Sequence, residues 1–168
     1  KSIDTTLSKD SVNEIILEFK EWLKTDAAQN HLKIIENEKI DVKNLMKKLS
    51  SMNKTSIEFT DEVLYALLPY HDNSFARRKS TFPVFRNIRA FLKGYNYSED
   101  DWNKIANIIF DLASSFSKEP EKLEQWIQEF KSNNEYTRMF QTGALTPILF
   151  CINDSYPLIN NRIRRTYK

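Results

Sequence analysis

The chain has 168 residues, 40% hydrophobic and 29% charged, with a formal net charge of +2. That is long enough to bury a sizeable core, too apolar for a disordered chain, and too near neutrality for charge alone to identify a nucleic-acid partner. With only two glycines, Gly94 and Gly143, and many Leu, Ile, Lys and Glu, tight hairpins and glycine-rich phosphate loops are nearly excluded and an all-α fold is expected.

In chain order, Ile15, Ile16, Phe19, Trp22 and Leu23 recur at helical spacing and predict an amphipathic first helix with Ser11 or Asp10 as its N-cap. A short helix over residues 27–36 carries Leu32, Ile34 and Ile35. A separate one, capped by Asp41, turns Val42, Leu45, Met46 and Leu49 inward and keeps Lys43, Lys47 and Lys48 off the stripe. A helix over residues 61–68 ends at Pro69, which lacks the N–H needed to continue it. Residues 69–83, bracketed by prolines and without period, form the one long loop, and loops of that length in compact domains are often functional. Pro83 suits the first turn of a helix running to Lys93, with Phe85, Ile88, Phe91 and Leu92 inward and Gly94 as the C′ stop. Ser98 opens a capping arrangement, Ser98-Glu99-Asp100-Asp101, ahead of Trp102, Ile105, Ile109, Leu112, Ala113 and Phe116. A helix over residues 121–131 carries Leu123, Trp126, Ile127 and Phe130, and a short one with Tyr136, Met139 and Phe140 precedes Gly143. Aromatic residues at this spacing are expected in the core. Internal repeats, coiled-coil heptads and low-complexity tracts are absent from the sequence.

Chemistry-bearing residues are sparse. His31 and His71 have no ligand-spaced partners, so no metal is expected. No glycine-rich loop precedes a Lys, so no nucleotide or other cofactor is expected, and no Ser or Cys stands beside a base, so no catalytic residue is assigned. His71-Asp72 reads either as a local acid–base pair or, more plainly, as a turn that Asp72 caps. Cys151 is alone in an apolar run, which excludes a disulfide framework and fits a reducing cytoplasm. No run approaches the ~18 apolar residues of a membrane span. Basic residues cluster twice: Arg77, Arg78, Lys79, Arg86 and Arg89 in the middle, and Arg162, Arg164, Arg165 and Lys168 at the end. They read as contacts to DNA phosphates or as solvated surface. The start at Lys1 without Met, and an end that reads as a helix still running, suggest a single helical domain, 1–168, excised from a longer protein and divisible into lobes 1–60 and 61–168.

The last quarter carries a family resemblance. Phe140-Gln141-Thr142-Gly143-Ala144-Leu145-Thr146-Pro147-Ile148-Leu149-Phe150-Cys151-Ile152, followed by Tyr156-Pro157-Leu158-Ile159-Asn160-Asn161-Arg162-Ile163-Arg164-Arg165, resembles the helix-hairpin-helix segment of the DNA glycosylase superfamily. The resemblance implies a φ > 0 turn at Gly143, backbone N–H groups around Thr142 and Gly143 on a DNA phosphate, and Asn160, Asn161, Arg162 and Arg165 beside the DNA. The sequence departs from the family in having one hairpin glycine and in placing Asn160 where the catalytic aspartate stands, which implies that glycosylase chemistry is lost. Asn160 or Asn161 also reads as a plain helix N-cap.

A second resemblance covers residues 60–168. Leu67-Leu68-Pro69-Tyr70-His71-Asp72-Asn73-Ser74-Phe75-Ala76-Arg77-Arg78-Lys79, together with Gly143-Ala144-Leu145-Thr146-Pro147-Ile148-Leu149 and Tyr156-Pro157-Leu158-Ile159-Asn160-Asn161-Arg162, is similar to the helical region ahead of McrB-type AAA+ restriction ATPases. It implies a non-catalytic module that recognises DNA or contacts other subunits of a restriction complex, with nucleotide hydrolysis in another domain. The alternatives are a protein–protein adaptor without nucleic-acid contact and, further off, a glycosylase-type enzyme with a displaced active residue. A continuous positive face over residues 77–89 and 162–168 favours DNA; an exposed apolar surface favours a protein partner.

Overall fold

A computed structural model describes residues 9–68, 88–140 and 142–156, and every regular element among them is helical. The chain divides into two compact units, Lys1–Asn37 and Glu38–Lys168. The first unit holds α1 (Lys9–Leu23) and the start of α2 (Asp26–Ser50). α1 begins at or before Lys9, so Asp10 and Ser11 lie inside its first turn and neither is the N-cap that the pattern suggested. Thr25 caps α2: its hydroxyl accepts from the Ala28 N–H at 3.2 Å and donates to the Trp22 carbonyl at 2.7 Å.

α2 corrects the reading of two short helices. No glycine or proline interrupts residues 36–41, Glu and Lys propagate a helix well, and Asp41 is an ordinary exposed position within it. Its second half belongs to the second unit, where Val42, Met46 and Leu49 enter the core. Lys39 reaches Asp154, beyond the end of α8 (Thr142–Ile152), at 2.8 Å and lies 5.4 Å from the Phe150 ring centroid. This ion pair holds the Asp154 carboxyl below its usual range.

The third helix, α3 (Ile57–Glu62), starts four residues earlier than expected because Ser56 caps it, its hydroxyl accepting from the Phe59 N–H at 3.1 Å. It runs into one π-helical turn, Val63–Leu67, closed by the Leu68 N–H on the Val63 carbonyl at 3.1 Å. Val63, Leu64, Leu67 and Leu68 are all fully buried there. Pro69 and the loop expected over residues 69–83 lie outside the described residues.

The helix predicted to run to Lys93 with Gly94 in the C′ position includes Gly94 and takes its C′ residue two positions later. α4 (Ile88–Gly94) is followed by Asn96 at φ 61, with the Asn96 N–H on the Lys93 carbonyl at 2.9 Å and the Tyr97 N–H on the Leu92 carbonyl at 3.2 Å. That is a Schellman cap with Asn in the left-handed position, a role Asn tolerates, and the buried Leu92 and Tyr97 supply its apolar contact.

α5 (Glu99–Lys118) is the centre of the second unit and begins as the sequence predicts. The Ser98 hydroxyl accepts from the Asp101 N–H at 3.3 Å, and Asp101 Oδ2 accepts from the Ser98 N–H at 3.0 Å. Trp102, Ile105, Ala106, Ile109, Phe110, Leu112, Ala113 and Phe116 are buried along it. The remaining side is polar. Asn103 and Asn107 donate to the Lys54 carbonyl at 2.8 and 3.1 Å, and Asp111 pairs with Lys54 Nζ at 2.8 Å, which fixes the turn between α2 and α3. A 3-10 turn (Pro120–Lys122), α6 (Leu123–Ser132), α7 (Asn134–Thr137) and α8 complete the unit, with α6, α7 and α8 each against α5. Tyr156 closes the described chain, its hydroxyl donating to the Pro120 carbonyl at 2.7 Å and its ring edge-on to Phe116.

The glycine turn expected at Gly143 is not formed: Gly143 is the second residue of α8, and no described glycine has positive φ. The apolar run after it is buried at Ile148, Leu149 and Cys151, as expected, and half-buried at Phe150 and Ile152. No helix among the described residues is long and apolar enough to cross a membrane.

Two outcomes test this packing. Labelling of the Cys151 thiol in the native protein should be far slower than in denaturant, since the residue is 5% exposed. Ser98→Ala should cost about 1 kcal/mol in urea unfolding at neutral pH. Hydrogen bonds from Ser98, reinforced by Lys104, hold the Asp101 carboxyl below its usual range. A depressed native pKa gives stability that is complete above the unfolded value and is lost as pH falls through the native one. The gap between wild type and Ser98→Ala should therefore narrow below about pH 4.

Candidate functional site

The residues expected to touch DNA are placed by the structure only in part. Arg77, Arg78, Lys79, Arg86, Asn160, Asn161, Arg162 and Arg165 lie outside the described residues. Arg89 belongs to α4, and Thr142 and Gly143 open α8. Groups of three or more His, Cys, Asp or Glu arranged to hold a metal ion are also absent among the described residues.

What the first unit does present is an apolar helix face. Val12, Ile15, Ile16, Phe19 and Trp22 stand at i, i+3, i+4, i+7 and i+10 of α1, the spacing that places side chains on one side of a helix. Such a stripe is ordinarily buried, and the sequence predicts it so. It is not: Ile15 is 52% exposed, Phe19 55% and Trp22 43%. Phe19 and Trp22 stack on each other at 5.6 Å between ring centroids and 25° between planes, so the two rings form a single flat apolar patch. By helical spacing Glu18 flanks one edge of the stripe and Lys20 the other, while Glu21 pairs with Lys24 at 2.6 Å away from it.

Sequence periodicity found these residues and assigned them to the wrong environment. A helix stripe is the same pattern whether it meets its own core or another molecule.

Compared with known proteins, the chain matches no family model, no curated relative and no solved structure.

The exposure of the patch can be read optically. Of the three tryptophans, Trp102 is buried and Trp126 half-buried with its Nε1 donating to the Glu119 carbonyl at 3.0 Å. Most of the emission that iodide quenches should therefore come from Trp22 and vanish in Trp22→Phe. Unchanged quenching in that variant would mean that the face is covered.

Proposed function

We propose that the domain is a non-catalytic recognition module that holds a partner protein through α1, its place beside a restriction-type ATPase being the part of this reading that rests on the McrB-type resemblance. The exposed stripe Val12, Ile15, Ile16, Phe19 and Trp22 carries the reading. Contiguous exposed apolar surface rimmed by charge is the mark of a protein-docking face, and a helix stripe is best matched by another amphipathic helix. Glu18 at one edge of the stripe favours a partner helix with Lys or Arg facing it.

The magnitudes fit a reversible contact. Covering the exposed part of each of these side chains contributes on the order of 1 kcal/mol. Several such terms, with the partner's own apolar surface added, offset the cost of association and leave an affinity near the micromolar range. The stacked pair Phe19 and Trp22 is the expected hot spot, since aromatic anchors dominate helix-in-groove contacts. The DNA reading depends on Arg77, Arg78, Lys79, Arg162 and Arg165, and no geometry of the described residues favours it.

A photo-crosslinking residue replacing Phe19 in the full-length protein in its host should give a discrete adduct that maps to a basic amphipathic helix of a second protein. Crosslinks confined to residues 38–168 or to a second copy would overturn the reading, and a salt-sensitive duplex-DNA shift by a protein that gives no adduct would restore the DNA alternative. Phe19→Ala with Trp22→Ala should weaken the complex about a hundredfold or more, while changing unfolding free energy by less than about 0.5 kcal/mol per site, because both residues are exposed.

A further inference from the structure

α6 and α8 both pack on α5, and a cleft of about 540 Å³ lies between the α6–α7 segment and α8. Clefts between bundle helices of roughly 300–1,000 Å³ are the usual size for small-molecule sites. The walls divide by chemistry. Leu123, Ile127 and Phe130 of α6 and Leu145 and Leu149 of α8 make one part apolar. Lys131, Asn134 and Arg138 of the α6–α7 segment are polar members of the same lining.

These three polar side chains are exposed, and none forms a hydrogen bond or ion pair with a described residue. Some lysines of the unit are paired, Lys48 with Glu62, Lys54 with Asp111 and Lys122 with Glu119, and others, such as Lys43, Lys47, Lys93 and Lys118, are exposed like Lys131. No carboxylate stands among the residues lining the cleft. Two cations, an amide and an apolar trough thus line one cleft among the described residues.

We propose that this cleft binds a small amphipathic carboxylate, its hydrocarbon body over Leu145 and Leu149 and its head group on Lys131 and Arg138. A planar guanidinium offers a carboxylate two parallel N–H donors, and the lysine adds a second charge. The apolar trough selects against short, fully hydrated anions, and the cations select against uncharged chains of the same length.

The test is calorimetric titration of the whole chain with straight-chain carboxylates of two to ten carbons, each below its micelle concentration, beside decanol as the uncharged control. Affinity should rise by up to about fourfold per added methylene until the trough is full. Decanoate should bind about tenfold more tightly than decanol, the scale of hydrogen bonds to a charged group. In Lys131→Ala with Arg138→Ala, both at exposed positions where folding is unaffected, decanoate should fall to the level of decanol. Absence of decanoate binding, equal binding of acid and alcohol, or an unaltered double variant overturns the proposal. So does association with vesicles of mixed phosphatidylglycerol and phosphatidylcholine without binding of monomeric decanoate, since that assigns the cations to a lipid surface.

Discussion

The second unit depends on the burial of α5. Its apolar residues form one wide stripe: Trp102, Ile105, Ala106, Ile109, Phe110, Leu112, Ala113 and Phe116 share an arc of about 160° at 100° per residue, and α3, α6, α7 and α8 each touch the helix. Burial of a single large side chain of this kind contributes roughly 1.5–3 kcal/mol, so the helix gathers far more apolar free energy than the surrounding ion pairs, which are exposed and contribute about 0–1 kcal/mol each. The helices around α5 need no broad contact with one another. That arrangement leaves a trough between α6–α7 and α8 rather than a filled seam.

The strip of α5 that is not apolar is equally specific. Asn103, Asn107 and Asp111 recur every four residues and all engage Lys54, two through its carbonyl and one through its amine. A turn whose Met52 packs against the core is thereby also held to the core helix by polar groups. Asn103 also donates to Thr60 at 2.7 Å, so the same side chain ties down the first turns of α3. Local capping and long-range hydrogen bonding do complementary work, the first setting where a helix begins and the second where its loop is stored.

Much of this was legible in the sequence, and the failures have identifiable causes. The all-α class, the Ser98 box and the buried run at Ile148 to Cys151 follow from composition, from a side chain three residues from its target N–H, and from apolar content. The break placed within α2 was wrong because Asp41 has the chemistry of an N-cap, yet an Asp without a preceding breaker is equally an exposed interior residue. Gly94 was assigned the left-handed position that Asn96 takes, since both residues tolerate it and only the length of α4 decides. The candidate surfaces divide the same way. The positions on the α1 face were visible as a period, but their exposure depends on what the rest of residues 1–37 can cover. The cleft was invisible, because its lining joins positions more than twenty residues apart and its cations look like ordinary surface lysine and arginine until their lack of acidic neighbours is seen in space.

The π-helical turn at Val63–Leu67 bears on how the chain tolerates change in length. Such a turn is an α-helix that holds one residue more than its hydrogen-bond ladder requires, and the surplus is absorbed locally. Val63, Leu64 and Leu67 within it, and Leu68 directly after it, are all in the core, so the surplus residue lets these positions share one side of the segment. A lineage that lost a single codon here would regain regular α-helical bonding and at the same time turn every following side chain by about 100°. Leu67 and Leu68 would leave the core, and the segment entering the 69–83 region would set out in another direction. The fold thus constrains chain length at this position more tightly than residue identity, which apolar substitution would satisfy.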